Sequence, residues 1–98
     1  MKKVNKDENK ELELKEYNID YDMFSLEEIV KIVAFFDLIE KINRGRKYKK
    51  EDAINKYNEY RNILNNKSLE KKYDKMLEKL TGASIYHTMK EITNNETR

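Results

Sequence analysis

Few side chains in this 98-residue chain could do chemistry, and they are scattered. There is one histidine, His87, and no cysteine. Zinc coordination and nucleophilic catalysis both need several imidazole, thiolate or carboxylate groups acting together, so a lone imidazole reads as a structural or surface residue. The densest carboxylate group is Asp20, Asp22, Glu27 and Glu28. Such oxygens suit a hard cation, but no glycine bends the stretch as a calcium loop requires, and helix capping already explains Glu27 and Glu28. No catalytic, metal-ligating or cofactor-binding residue is assigned, no small-molecule substrate is evident, and the chain is read as a non-enzyme.

The charged residues are informative in another way. Lys41, Arg44, Arg46, Lys47, Lys49 and Lys50 place six bases and no acid between positions 41 and 50, with Tyr48 among them. Such a run can contact phosphates, and a tyrosine within it can stack on a base. A helix-turn-helix reading of residues 51–80 would put Lys71, Lys72, Lys75 and Lys79 on a recognition helix. Against it, Glu70, Asp74 and Glu78 alternate with those lysines as on a solvated face, and the pI is only about 8.6. Residues 17–40 hold six acids and one base, whereas residues 41–75 hold twelve bases and five acids. The favoured reading is therefore an interaction or structural module, self-association included, with two oppositely charged surfaces. One is the aromatic, acidic lead-in Tyr17, Asp20, Tyr21, Asp22 and Phe24; the other is the basic connector. A nucleic-acid- or ribosome-associated binder using the connector is the second reading.

These residues need a scaffold, and apolar periodicity supplies one. Apolar residues are 38% of the chain and charged residues 41%, a high charge content, yet from Leu26 onward the apolar ones recur in helical blocks. Ser25-Leu26-Glu27-Glu28 is a capping box. Leu26, Ile29, Val30, Ile32, Val33, Phe36, Ile39 and Ile42 then form a broad stripe, flanked by Phe35 and Leu38, that Arg44 and Gly45 end. Glu51 and Asp52 suit the positive start of a second helix carrying Ala53, Tyr57, Tyr60 and Leu64. Ser68 is the expected cap of a third helix with Leu69, Tyr73, Met76, Leu77 and Leu80, closed by Gly82; Ser84 caps a fourth with Ile85, Tyr86, Met89 and Ile92. Of the seven tyrosines, spacing sends Tyr57, Tyr60 and Tyr73 toward the core.

The expectation is an all-α array of helices over about 26–44, 51–64, 69–81 and 84–93, behind an extended lead-in at 17–24. A charged, flexible extension at 1–16 and a disordered tail at 94–98 flank one helical domain at 17–93. No secretory or membrane-spanning stretch is evident, and the lack of cysteine suits a reducing, cytoplasmic setting.

From Tyr17 to about Ile92 the ordered landmarks resemble the small bacterial proteins of uncharacterised protein family 223. They are the Tyr17 to Asp22 lead-in with Ser25 and Glu27-Glu28; Phe35-Phe36 and Ile39-Glu40; Tyr57 with Tyr60; Ile63-Leu64, Lys67-Ser68 and Glu70-Lys71; and Gly82, Ser84 and Tyr86. Asn18 stands for the family's proline, Met23-Phe24 for its tryptophan, Asn65-Asn66 for its Pro-Ser turn and Ala83 for its tyrosine after the glycine. The resemblance implies a compact helical fold in the cytoplasm and no assigned activity.

Overall fold

Ser25 opens the first helix as its type predicts. Its hydroxyl accepts from the Glu28 N–H at 3.1 Å, while the Ser25 N–H donates to the Glu28 carboxylate at 2.9 Å. In this computed structural model, which describes residues 17–96, helix α1 spans Leu26–Asn43, α2 Lys50–Leu64, α3 Lys67–Thr81 and α4 Ile85–Glu96. No strand occurs among the described residues. The extension expected at 1–16 lies outside them.

Helix α1 stops in a Schellman motif. Gly45 takes φ +84°, its N–H donates to the Ile42 carbonyl, and the Arg46 N–H donates to the Lys41 carbonyl, both at 3.0 Å. Helix α2 carries Glu51 and Asp52 in its first turn, where negative charge meets the positive end of the helix dipole; Lys49 before it makes no side-chain cap. Asn65 ends α2 in the left-handed conformation, φ +48°.

The start of α3 corrects one expectation. The cap is Asn66, whose Oδ1 accepts from the Leu69 N–H at 3.0 Å, and Ser68 already lies within the helix. Asparagine caps as well as serine, and using Asn66 extends the helix by two residues beyond the expected start at 69. Helix α4 starts where Ser84 predicts: its hydroxyl accepts from the His87 N–H at 3.3 Å, and Asp74 of α3 accepts from the Ile85 N–H at 2.9 Å. It continues to Glu96, past the expected end at 93.

Helix α1 packs on α2 and α4, α3 packs on α2 and α4, and α2 also touches α4. Ile32, Phe35, Phe36 and Ile39 of α1 are fully buried, each burial contributing about 1.5–3 kcal/mol. Around them runs an aromatic chain: Tyr60 tilts onto Phe35 with centroids 4.6 Å apart, and Tyr73 meets Phe36 edge-on at 6.2 Å. Such pairs add about 0.5–1.5 kcal/mol beyond their area. Tyr60 and Tyr73 are buried as their spacing predicts, and Tyr57 is half-buried.

Candidate functional site

The lead-in lies on the core, as read from the sequence, but it is less extended than expected and turns at residues 21–23. Tyr17 and Ile19 are both buried, and the Tyr17 ring stands edge-on to Phe36 at 5.2 Å. The Tyr17 hydroxyl donates to the Glu40 carboxylate of α1. The chain then turns, with the Met23 N–H donating to the Asp20 carbonyl at 3.0 Å. At this turn the Asp20 N–H donates to the Tyr73 hydroxyl at 3.0 Å, and that hydroxyl donates to Asp20 Oδ2 at 2.8 Å. Lys72 approaches the same oxygen at 3.4 Å. The Tyr73 hydroxyl holds the Asp20 carboxyl below its usual range, with Lys72 helping and partial burial opposing. Burial pushes the Tyr73 phenol up to about 12, and its hydrogen bonds to Asp20 act in both directions. Tyr17 and Asp20 thus fasten the lead-in to the fold. Phe24 is half-buried against the core, while Tyr21, Asp22 and Met23 face solvent.

The basic residues divide similarly. Lys41 pairs with Asp37 one turn back at 3.1 Å, and Arg44 with Glu40 at 3.5 Å. Arg46, Lys47, Lys49 and Lys50 are exposed and make no ion pair with the described residues, and Tyr48 among them is 39% exposed.

Hollows lie between the helices, one of them of about 570 Å³ among Asn58, Arg61, Asn62, Asn65, Asn66, Lys67 and Glu70. A cleft of about 450 Å³ is lined by Tyr17, Glu40, Asn43 and Arg44 on one side and by Leu80 to Ala83 on the other. Its polar groups bond to one another. Tyr17 and Arg44 hold Glu40; Asn43 donates to the Ile39 carbonyl and to Thr88 Oγ1 at 2.9 Å; Thr81 Oγ1 donates to the Leu77 carbonyl and accepts from the Ala83 N–H. That arrangement is a joint between α1, α4 and the α3 terminus. A more apolar groove of about 380 Å³ runs past Tyr57, Tyr60, Glu70, Asp74, Ile85 and Tyr86. The Tyr60 hydroxyl, buried beside it, has no hydrogen-bond partner among the described residues, and burial raises its pKa strongly. His87 is exposed and stands beside the Tyr86 ring, centroids 5.5 Å apart. Among the described residues no three His, Asp or Glu side chains gather as metal ligands.

The feature that sequence reasoning missed is the outer face of α1. Leu26 and Val30, assigned to the core stripe, are 78% and 59% exposed, and Met23 just before the helix is 61% exposed. The buried side of α1 is centred on Ile32, Phe35, Phe36 and Ile39, and at 100° per residue Leu26 and Val30 fall on the far side. The signal was there to read: Val30 shares its face with Ala34, Asp37 and Lys41, and charges there mark it as the solvent side.

Among the described residues, fold and surface together define a small all-α domain of four helices whose polar cleft is bonded within the fold and whose first described helix leaves apolar side chains outside. The chain belongs to the uncharacterised protein family UPF0223, whose model matches residues 14–98. It is 35% identical over 81 residues to the UPF0223 protein of Bacillus cytotoxicus, covering 83% of this chain and 89% of that relative. To the Bacillus mycoides protein it is 36% identical over 74 residues, 76% of this chain and 81% of the relative. The Lactococcus lactis protein YfdD is 32% identical over 77 residues, 78% and 82% of the two chains. No solved structure matches the chain. Among the described residues no helix is long and apolar enough to cross a membrane.

Proposed function

We propose that the chain is a non-enzymatic protein-interaction module of the bacterial cytoplasm and that the outer face of α1 is its contact surface. One observation carries the reading: Leu26 and Val30, one turn apart, are left in solvent by a helix that fully buries four apolar side chains on its other side, and Met23 just before the helix is exposed as well. Single exposed apolar residues are ordinary, but neighbouring ones rimmed by charge mark contact sites. Glu27, Lys31 and Asp37 supply the rim.

The test is capture from a bacterial lysate by the immobilised chain and by a Leu26→Asp/Val30→Asp variant that keeps its helical circular dichroism. A protein held by the first and lost from the second supports the module. Equal retention by both removes the α1 face from the function.

The exposed bases Arg46, Lys47, Lys49 and Lys50, which make no ion pair among the described residues, favour a second reading, nucleic-acid contact through the connector. It requires a salt-sensitive shift of labelled RNA or DNA that Arg44→Ala, Arg46→Ala and Lys47→Ala together abolish.

A further inference from the structure

The charges on the outer face of α1 are arranged symmetrically about its middle. Ala34, exposed, sits near the centre of the 18-residue helix. Glu27 and Lys41 stand seven residues to either side of it, Lys31 and Asp37 three residues to either side, and Val30 and Leu38 four. Each charged pair joins opposite signs. Val30, Ala34, Asp37 and Lys41 share one helical face by their spacing of four, three and four residues, with Glu27 and Lys31 along its edge.

We propose that this face binds a second copy of the same chain, α1 against α1 in antiparallel, with the two-fold axis at Ala34. This commits the module reading above to one partner and rests on it. Antiparallel pairing about residue 34 brings Glu27 of each copy opposite Lys41 of the other, both within about 20° of the line through Ala34 at 100° per residue. A two-fold interface is isologous, so one self-complementary patch satisfies both sides twice over. The small side chain at the crossing point lets the helices approach closely, and Val30 then meets Leu38 across the axis. Leu38 is half-buried already, so it offers one apolar flank to the incoming Val30. The ion pair that Lys41 makes with Asp37 joins side chains about half exposed; such pairs are weak, and this one yields readily to Glu27 across the interface. Beyond the helix ends, Asp22 of one copy lies toward Arg46 and Lys47 of the other, which gives the acidic lead-in and the basic connector a common use.

The absence of cysteine makes the arrangement directly testable. Ala34→Cys places one thiol on the axis, and mild oxidation is expected to give a covalent dimer with an unchanged helical spectrum, since a disulfide requires Cα atoms within about 7 Å. Lys79→Cys, exposed on α3, is expected to stay monomeric under the same oxidation. Sedimentation equilibrium of Glu27→Lys and of Lys41→Glu should show dimer affinity weakened about tenfold or more in each, because each creates two like-charge contacts, and the double variant should recover it. A wild-type chain that sediments as a monomer at every concentration overturns the pairing. So does cross-linking of the two cysteine variants to equal extent, or a double variant as weak as the singles. Those results, like a dimer that Leu26→Asp/Val30→Asp leaves intact, overturn the pairing and leave capture of a different protein by Leu26 and Val30 standing, whereas equal retention of both chains in the lysate capture removes the module reading itself.

Discussion

The Tyr73 hydroxyl and Asp20 hold each other twice: the hydroxyl donates to the Asp20 carboxylate at 2.8 Å and accepts from the Asp20 N–H at 3.0 Å. One oxygen thereby closes the turn that follows the lead-in and anchors it to α3, 53 residues away in sequence. A hydroxyl can do both because it has one proton to give and lone pairs to receive.

Tyr73→Phe removes both bonds while keeping the ring against Phe36, and it is expected to lower the melting temperature at pH 7. The loss should depend on pH in a set direction. The Asp20 pKa in the folded chain is lowered from its ordinary 3.8, so the stabilisation is complete above that value and is lost as pH falls below it toward the folded value. The gap between the melting curves of the wild type and Tyr73→Phe should narrow as pH falls below 3.8. A gap that stays constant through that range would place the effect in packing rather than in the Asp20 bond.

Tyr60 predicts the opposite behaviour at the same kind of residue. It is 2% exposed, and its hydroxyl is buried without a hydrogen-bond partner among the described residues. Burying an unpaired hydroxyl costs about 1–3 kcal/mol, so Tyr60→Phe is expected to leave stability unchanged or to raise it by up to that amount. Burial raises the phenol pKa of Tyr60 and of Tyr73 above the ordinary 10.0. Below pH 10 both phenols are neutral in folded and unfolded chains alike. Above it the unfolded chain ionises first, so stability falls as pH rises, between 10 and about 12 for Tyr73. Urea unfolding of Tyr60→Phe should show a shallower alkaline loss than the wild type.

How far the sequence revealed this molecule differs from feature to feature, for physical reasons. Helix caps and stops are local, and Ser25, Gly45, Gly82 and Ser84 sit where their chemistry requires. The four helices of the described residues and the burial of Tyr60 and Tyr73 followed from periodicity. The contacts of the lead-in were not legible, because pairing Tyr17 with Glu40 or Asp20 with Tyr73 depends on how helices pack over long sequence separations. The bare face of α1 was hidden by counting every apolar residue as core, although which side a helix buries is decided by its neighbours. Of the eleven residues named as a contact surface, Tyr17 and Asp20 serve the fold; the exposed apolar patch that argues best for contact lay among residues assigned to the core.

The cap of α3 separates two local signals that sequence alone could not rank. Asn66 and Ser68 are both good caps, two residues apart, and the turn left by Asn65 in the left-handed conformation presents Asn66 to the Leu69 N–H. Asn66→Ala is expected to cost about 1 kcal/mol and Ser68→Ala close to nothing, since alanine suits a helix interior. Thermal unfolding of the two variants decides between the positions; a larger loss at Ser68 would move the helix start.

Gly45 offers the cleanest backbone test. Its φ of +84° lies where a Cβ is disfavoured, yet a Cβ built there meets nothing within 4 Å, so any loss on substitution is conformational and not steric crowding. Gly45→Ala is expected to cost about 1–2 kcal/mol. That corresponds to roughly 4–8 °C per kcal/mol for a domain of this size. Gly45→Asn should cost less, because asparagine tolerates the left-handed region, as Asn65 does in this same chain at φ +48°. The graded order Gly, Asn, Ala is the signature of a Schellman stop, and equal melting temperatures for Asn and Ala would refute it. The stop also sets the direction in which Arg46 and Lys47 leave α1. A Gly45→Ala chain that refolds with a longer first helix should therefore carry its bases on the helix instead of beyond it, and the antiparallel pairing, which needs Arg46 and Lys47 past the helix end near Asp22 of the second copy, should weaken with it.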